Sequence, residues 1–410
     1  MHYRAVELFA LKNSRLLILF FTMVVVMMGF GIIIPIIPFY LERYGAGGTE
    51  MGMLMAVFSV MQFLFAPFWG SLSDRYGRKR ILMIGALGNA ISHLIFGFAD
   101  SLALMFLSRM LAGVLSSATL PTAMAYISDS TSERDRGGGM GMIGAAMGVG
   151  MVIGPGIGGW LGGGNLSTPF FLASGLSFVA VLLILVILPE SLPEARRQTT
   201  GRLHGPDVGR MWQALFGPLG FLLFLAFLVN FGLANFEGIF GLYAKDRHGY
   251  GPEQVGTIMT VIGVTSAVIQ GLLTGPATRG LGEERVIKIS LVASAAGFGL
   301  MLLAQTYAMV LLTVGFFVLS NSMLRPCIAS LISKRAGVGG AQGAALGLSS
   351  GFESLGRVAG PLWAGTLYDV SLSLPYSSAA VIVLLSFGIT MLRLKGDRQE
   401  EAAPPETAFS

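Results

Sequence analysis

Long apolar runs separated by short polar stretches dominate this sequence. A helix needs about 20 mostly apolar residues to cross a bilayer, and 53% of the 410 residues are hydrophobic while only 12% are charged. We therefore predict an all-α integral membrane protein with twelve transmembrane helices. In chain order these spans 1 to 12 are predicted at 15–41, 50–73, 81–99, 103–129, 137–163, 169–189, 216–244, 252–275, 286–305, 308–333, 342–368 and 374–394.

The positions of Lys and Arg predict the orientation of these spans. With the N-terminus inside, 21 of the 27 basic residues fall on inner segments and three on outer loops. Because basic loops remain on the cytoplasmic side, we expect both termini to be cytoplasmic and the protein to lie in a bacterial cytoplasmic (inner) membrane. The first apolar run is too long for a signal peptide and has no small-residue cleavage site.

The two halves of the chain repeat each other. An offset of 205 residues carries Gly70-x-x-x-Asp74 onto Gly275-x-x-x-Arg279 and Pro121 onto Pro326, although the second copy carries inverted charges in its loop. Parallel repeats of this kind are typical of transporters whose site lies between the halves. We predict six-helix bundles at 1–189 and 216–395, a cytoplasmic linker at 190–215, and a disordered cytoplasmic tail at 396–410.

The stretch from Gly70 to Arg80 has one acid and four bases between two apolar runs, which predicts a tight loop at the membrane surface. It resembles the signature between the second and third spans of the major facilitator superfamily. The resemblance implies two pseudo-symmetric bundles and a conformational latch that holds when the protein faces outward, with Arg75 or Arg78 pairing with Asp129. The latch residues would be Gly70, Asp74, Arg75, Gly77, Arg78 and Asp129. A plain topogenic charge cluster is the alternative.

Span 5 is rich in small residues around one proline, at Gly150, Gly154, Pro155, Gly158 and Gly159. This pattern resembles the antiporter motif of exporters in the drug:proton antiporter family, and the resemblance implies export. Close helix packing without a transport role is the alternative, because small residues let membrane helices approach each other.

An arginine, Arg109, lies inside span 4 in the pattern Arg-x-x-x-Gly. Charged residues within spans are costly and usually functional. The pattern resembles the family's span-4 motif, where the arginine is thought to influence proton movement. Snorkelling of the side chain to the outer interface is the alternative.

Only two of the 22 acids, Glu237 and Glu353, lie deep within spans. The surroundings of Glu237, with Asn235 nearby, resemble span 7 of NorA-like multidrug exporters, which implies a proton-coupling role; a structural glutamate is the alternative. Glu353 either pairs with Arg357, four residues on, or lines the cavity. Arg325-Pro326 also matches that family, but Ser322 stands where an acid is expected. Gln62 in span 2 is a predicted polar contact.

These features predict a proton-coupled antiporter that exports lipophilic, often cationic drugs by alternating access. A narrow exporter of a metabolite, sugar or lipid on the same fold is the alternative. An enzyme is disfavoured because no nucleophile–base pairing and no nucleotide loop stands out. No His/Cys cluster has metal spacing. We expect no cofactor and no nucleic acid, with small molecules, protons and membrane lipids as partners of a monomer.

Overall fold

The structure, a computed structural model, describes residues 2–197, 205–337 and 341–394, and its regular elements are all helical over those ranges. Eleven of the helices described there are long and apolar enough to cross a membrane. The predicted all-α membrane fold is confirmed. The predicted disordered tail at 396–410 lies outside the described residues.

The observed spans agree closely with the predicted ones. In the first half they are Arg15–Arg43 (within a helix that begins at His2), Gly48–Tyr76, Arg78–Gly97, Leu102–Ser130, Asp135–Gly164 and Thr168–Ile187. In the second half they are Gly220–His248, Pro252–Leu281, Glu283–Leu303, Tyr307–Arg335, Ala341–Val370 and Leu374–Arg393. A short helix, Val208–Leu215, precedes span 7 within the predicted linker.

Span 11, Ala341–Val370, is long enough to cross the membrane but is less apolar than the others. It carries several glycines and serines and the charged residues Glu353 and Arg357. Exposure of these charges to lipid would cost much free energy. Span 11 packs against span 7 of its own half and span 2 of the other half, so these neighbours shield its polar residues from lipid.

The predicted loop from Gly70 to Arg80 is shorter than expected. Span 2 continues as a helix to Tyr76 and span 3 begins at Arg78, which leaves Gly77 alone between them. Gly77 has a φ of 100°, a conformation that side chains with a Cβ rarely adopt. A single glycine therefore makes the turn, and most of the charged residues lie on helix ends.

In the part of the chain that the structure describes, two spans depart from α-helical geometry near a proline. Span 4 has a 3₁₀ turn at Ser116–Ala118, just before Pro121. Span 8 has a π turn at Ile269–Leu273, just before Pro276. Proline lacks the N–H that would bond to the preceding turn, so these irregularities have a local cause.

The two halves meet through spans 2 and 11 and through spans 5 and 8. We call the membrane face that holds residues 74–80 the basic face, and the other the opposite face. Close contacts between the halves lie toward the opposite face, where Gly48 meets Gly365 and Gly159 meets Gly256. The halves are thus joined at the opposite face.

Candidate functional site

A cavity of about 590 Å³ lies between the two halves on the side of the basic face. Its wall is formed by spans 2, 4 and 11 and by the linker around Val208–Leu215. The lining is mainly apolar, with Phe63, Ala66, Pro67, Leu120, Pro121, Met124, Met211 and Leu348 among its residues. A mainly apolar wall with a few polar groups is typical of small-molecule sites.

Gln62 and Arg357 mark the deep end of this cavity. Each is the lining residue of its span that lies farthest from the basic face, since span 2 runs toward that face and span 11 runs away from it. One guanidinium nitrogen of Arg357 donates a hydrogen bond to Ser354 Oγ at 2.9 Å. The predicted polar contact at Gln62 therefore lies in the cavity wall, and Arg357 joins it there.

Glu353 pairs with Arg325 of span 10, with 2.8 Å between Oε2 and Nη2. The carboxylate is buried, whereas 62% of the Arg325 side chain is exposed. Arg357, the partner predicted from the sequence, donates its hydrogen bond to Ser354 instead. The pairing crosses between two spans, which an i, i+4 argument within one helix does not anticipate.

Glu237 is partly buried in span 7 and makes no hydrogen bond or ion pair with any described residue. It lies within electrostatic reach of Arg357. Asn235, two residues earlier, is fully buried, and neither polar atom of its amide has a partner within the described chain. Neither Glu237 nor Asn235 lines the cavity described above. The sequence thus predicts the acid, and the structure places it within electrostatic reach of a cavity-lining arginine, Arg357.

Arg109 does not snorkel; its side chain remains inside the protein, with 1% of the residue exposed. The guanidinium lies 4.4 Å from the Phe58 ring centroid and 5.9 Å from that of Phe30. Its Nε donates to the Leu54 carbonyl at 3.4 Å. The snorkelling alternative is wrong because the aromatic rings of spans 1 and 2 hold the cation by cation–π contacts. Arg109 is not part of the cavity wall.

Arg78 is the centre of the predicted latch. It pairs with Asp74 at 2.6 Å and with Asp129 at 2.9 Å. Arg75 instead lies over the ring of Tyr76. Of the two pairings considered, the structure shows the one with Arg78, and all of its partners belong to the first half.

The two glycines of the predicted latch, Gly70 and Gly77, lie in different places. Gly77 is covered by the carboxylate of Glu190, which accepts hydrogen bonds from the backbone N–H of Arg78 at 2.8 Å and of Lys79 at 3.2 Å. Gly70 lines the cavity. Glu190, at the start of the predicted linker, therefore caps span 3, a role that the sequence did not reveal.

The second half has a charge-inverted copy of the ion pair between Arg78 and Asp129. The 205-residue offset carries Arg78 onto Glu283 and Asp129 onto Lys334. Glu283 and Lys334 form an ion pair, so the same pairing recurs with the signs exchanged. The repeat in sequence is thus a repeat of contacts as well.

The glycines of the predicted antiporter motif lie at two interfaces. Gly150, Gly154 and Gly158 pack on backbone atoms of span 1. Gly159 packs on Gly256 of span 8 in the other half. Pro155 contacts Gly31 of span 1, and its carbonyl lies close to Gly256. Small side chains at these positions bring three helices into backbone contact.

Polar contacts between the halves also join them at the opposite face. Asp369, near the end of span 11, accepts hydrogen bonds from the backbone N–H of Gly48 at 2.7 Å and of Thr49 at 2.9 Å. Lys245 pairs with Glu42 at 3.1 Å. Asp369 thus caps the first turn of span 2, where a carboxylate is favoured by the helix dipole. These bonds join residues 320 and 321 positions apart, so no local pattern in the sequence predicts them.

The family model described as Major Facilitator Superfamily matches residues 19–275 and 222–409. Multidrug resistance protein 2 of Bacillus subtilis is 32% identical over 383 residues, which cover 93% of this chain and 95% of the relative. Quinolone resistance protein NorA of Staphylococcus aureus is 28% identical, with 93% of this chain and 96% of NorA covered.

The solved structure of the nucleoside transporter NupG matches the fold with a TM-score of 0.78 and 15% identity, covering 94% of this chain and all of NupG (100%). The chain belongs to the major facilitator superfamily, and it is an integral membrane protein.

Proposed function

We propose that this protein is a proton-coupled antiporter that exports lipophilic, often cationic compounds by alternating access. The relatives named for multidrug and quinolone resistance support export of drugs. The charge distribution supports a cytoplasmic basic face with both termini inside, in a bacterial cytoplasmic membrane. The cavity would then receive compounds from the cytoplasm while contacts between the halves hold the opposite face together.

The observation that carries the proposal is Glu237. It is an acid within the membrane that has no direct partner among the described residues, and it lies within electrostatic reach of Arg357, which lines the cavity's deep end. An unpaired carboxylate in a span is costly, so a proton or a cationic compound stabilises it. Because the proton and the cationic compound both neutralise the Glu237 carboxylate, they compete for binding to it. Competition of this kind couples an inward proton to an outward compound.

The cavity wall favours lipophilic cargo over a sugar. Its polar side chains, apart from those of the linker and Arg357, are Gln62, Ser117, Ser350 and Ser354. A sugar site needs more amides and hydroxyls than these, because each buried hydroxyl of the cargo must find a partner. The narrow exporter remains the second candidate, and transport assays separate the two.

The test uses purified protein in liposomes with an imposed pH gradient, following ethidium movement. Wild type is expected to drive ethidium against its concentration gradient. The flux of Glu237→Gln is expected to be at least about tenfold lower because the amide cannot exchange a proton. Glu194→Gln, an exposed acid in the linker, is the matched control and should transport like wild type. Flux that persists in Glu237→Gln would contradict the coupling role. No flux in folded wild type would favour the narrow exporter.

A further inference from the structure

Arg357 has unused hydrogen-bonding capacity at the cavity's deep end. An arginine has five N–H donors, and among the described residues Arg357 makes a single side-chain hydrogen bond, to Ser354 Oγ. Its other described interactions are electrostatic, with Arg325, Glu353 and Glu237. An arginine with free donors in the wall of a mainly apolar cavity can anchor an anionic group, because the guanidinium fork matches a carboxylate with two parallel hydrogen bonds.

The charges around Arg357 show which cargo fits. Arg325 and Glu353 neutralise each other directly at 2.8 Å. Glu237 and Arg357 remain as a second pair, within electrostatic reach but without a hydrogen bond. A purely cationic compound satisfies Glu237 and leaves Arg357 uncompensated. A purely anionic one satisfies Arg357 and leaves Glu237 uncompensated, and an uncompensated charge in such a site is costly.

We propose that Arg357 binds a carboxylate of the transported compound, and that zwitterions with an aromatic or aliphatic body are the best-matched cargo. The carboxylate takes the free donors of Arg357, the apolar body lies along Phe63, Met124 and Leu348, and the cationic end lies toward Glu237. This assignment rests on the proposed function, because it adds a second anchor to the same site. Protonation of Glu237 still disfavours the cationic end, so exchange with protons is preserved.

Two dyes with the same ring system test this assignment. Rhodamine 110 is a zwitterion with a free carboxylate, and rhodamine 123 is its methyl ester and carries only the cation. Equilibrium binding of each dye to the purified full chain in nanodiscs gives two dissociation constants. Wild type is expected to bind rhodamine 110 more tightly. Arg357→Gln is expected to lose about ten- to a hundredfold of its affinity for rhodamine 110, the range of a charge-assisted hydrogen-bonded pair, while its affinity for rhodamine 123 stays equal or rises.

The control is Arg285→Gln, which removes an exposed cation at the start of span 9, outside the cavity wall, and should leave both constants within about twofold because an exposed charge contributes little. Arg357→Lys keeps the charge without the fork and is expected to fall between wild type and Arg357→Gln. Equal losses for both dyes in Arg357→Gln, or a wild type that prefers rhodamine 123, would overturn the assignment; the wild-type ratio decides even if the variants fail to fold.

The binding ratio needs no gradient, so it is independent of proton coupling. Gradient-driven rhodamine 123 flux, measured on the same preparation, tests the proposed function separately. A protein that binds rhodamine 110 through Arg357 but drives neither dye would retain the Arg357 assignment and lose the antiporter proposal.

Discussion

At the scale of single residues, Asp369 is the contact through which the second half holds the start of span 2. It accepts hydrogen bonds from the backbone N–H groups of Gly48 and Thr49 across the two halves. Glu50 accepts one from Gly47 at the same helix start but within one half. The two acids cap one helix, yet only Asp369 ties the halves together.

Asp369→Ala is expected to favour conformations that open at the opposite face. A lost helix cap costs about 1 kcal/mol, which corresponds to about a fivefold shift in population. Spin labels can be attached at Asp100→Cys and Ser373→Cys, which are both exposed and lie in different halves. Double electron–electron resonance should then show a larger population with a long distance between the two labels. Glu50→Ala is the matched control and should leave the distance distribution unchanged. Equal shifts in both variants would assign the effect to helix fraying instead.

Sequence reasoning found charged residues of the site but not their partners. Glu237, Arg325 and Glu353 stand out because charge within an apolar run is costly. That Glu353 pairs with Arg325, and that Arg357 lines the cavity, depends on how spans 10 and 11 rotate against each other. Span rotation is set by packing between helices, which no local pattern in this sequence encodes.

At the scale of helices, span 5 is one of the elements that join the two halves. A Cβ at Gly159 would collide with the carbonyl of Pro252 and with Gly256 of span 8. A Cβ at Gly148, on the same helix, would meet no described atom within 4 Å. The motif was recognised from its glycines, but its division between spans 1 and 8 follows only from the structure.

Gly159→Ala is expected to reduce gradient-driven ethidium flux by at least about tenfold. Overpacking of a close interface costs about 1–3 kcal/mol, and here that cost falls on the conformation in which spans 5 and 8 touch. Gly148→Ala carries the same substitution at an open position and should transport like wild type. If both variants keep full flux, contact between spans 5 and 8 is not required for transport.

The 205-residue repeat could be read from the sequence, and it predicts more than the fold. The offset that aligns the two loops also places Lys334 at the position of Asp129, so the charge-inverted pair with Glu283 follows from it. In contrast, the sequence predicts a longer loop around Gly77, because its charged residues suggest a loop. In the structure these residues lie on helix ends. Helix ends tolerate charge at a membrane surface as well as loops do.

At the scale of the whole molecule, the structure is one conformation of a protein whose proposed mechanism needs two. The repeat predicts two halves with a site between them, but both conformations satisfy the same sequence, so sequence patterns do not select one. The contacts select it: Gly159 with Gly256, Asp369 with Gly48, and Lys245 with Glu42 all lie toward the opposite face. Alternating access requires these contacts to separate.

A disulfide across the halves tests that requirement. A Cβ at Gly156 of span 5 would lie 3.8 Å from the Cβ of Thr260 in span 8, which is the usual Cβ separation in disulfides. The double variant Gly156→Cys/Thr260→Cys is therefore expected to cross-link on mild oxidation. The native Cys327 is buried, so it should not compete for the new thiols.

The cross-linked protein is expected to lose gradient-driven ethidium flux by at least about tenfold, because the halves cannot separate at the opposite face. Reduction of the disulfide should restore flux, and each single variant should transport before and after oxidation. Rhodamine 123 should still bind the oxidised protein, since the bond fixes the halves where the structure already joins them and leaves the cavity unchanged. If protein shown to be cross-linked transports ethidium as fast as the chemically reduced protein, spans 5 and 8 stay together throughout the cycle. The opening would then have to occur between spans 2 and 11 alone.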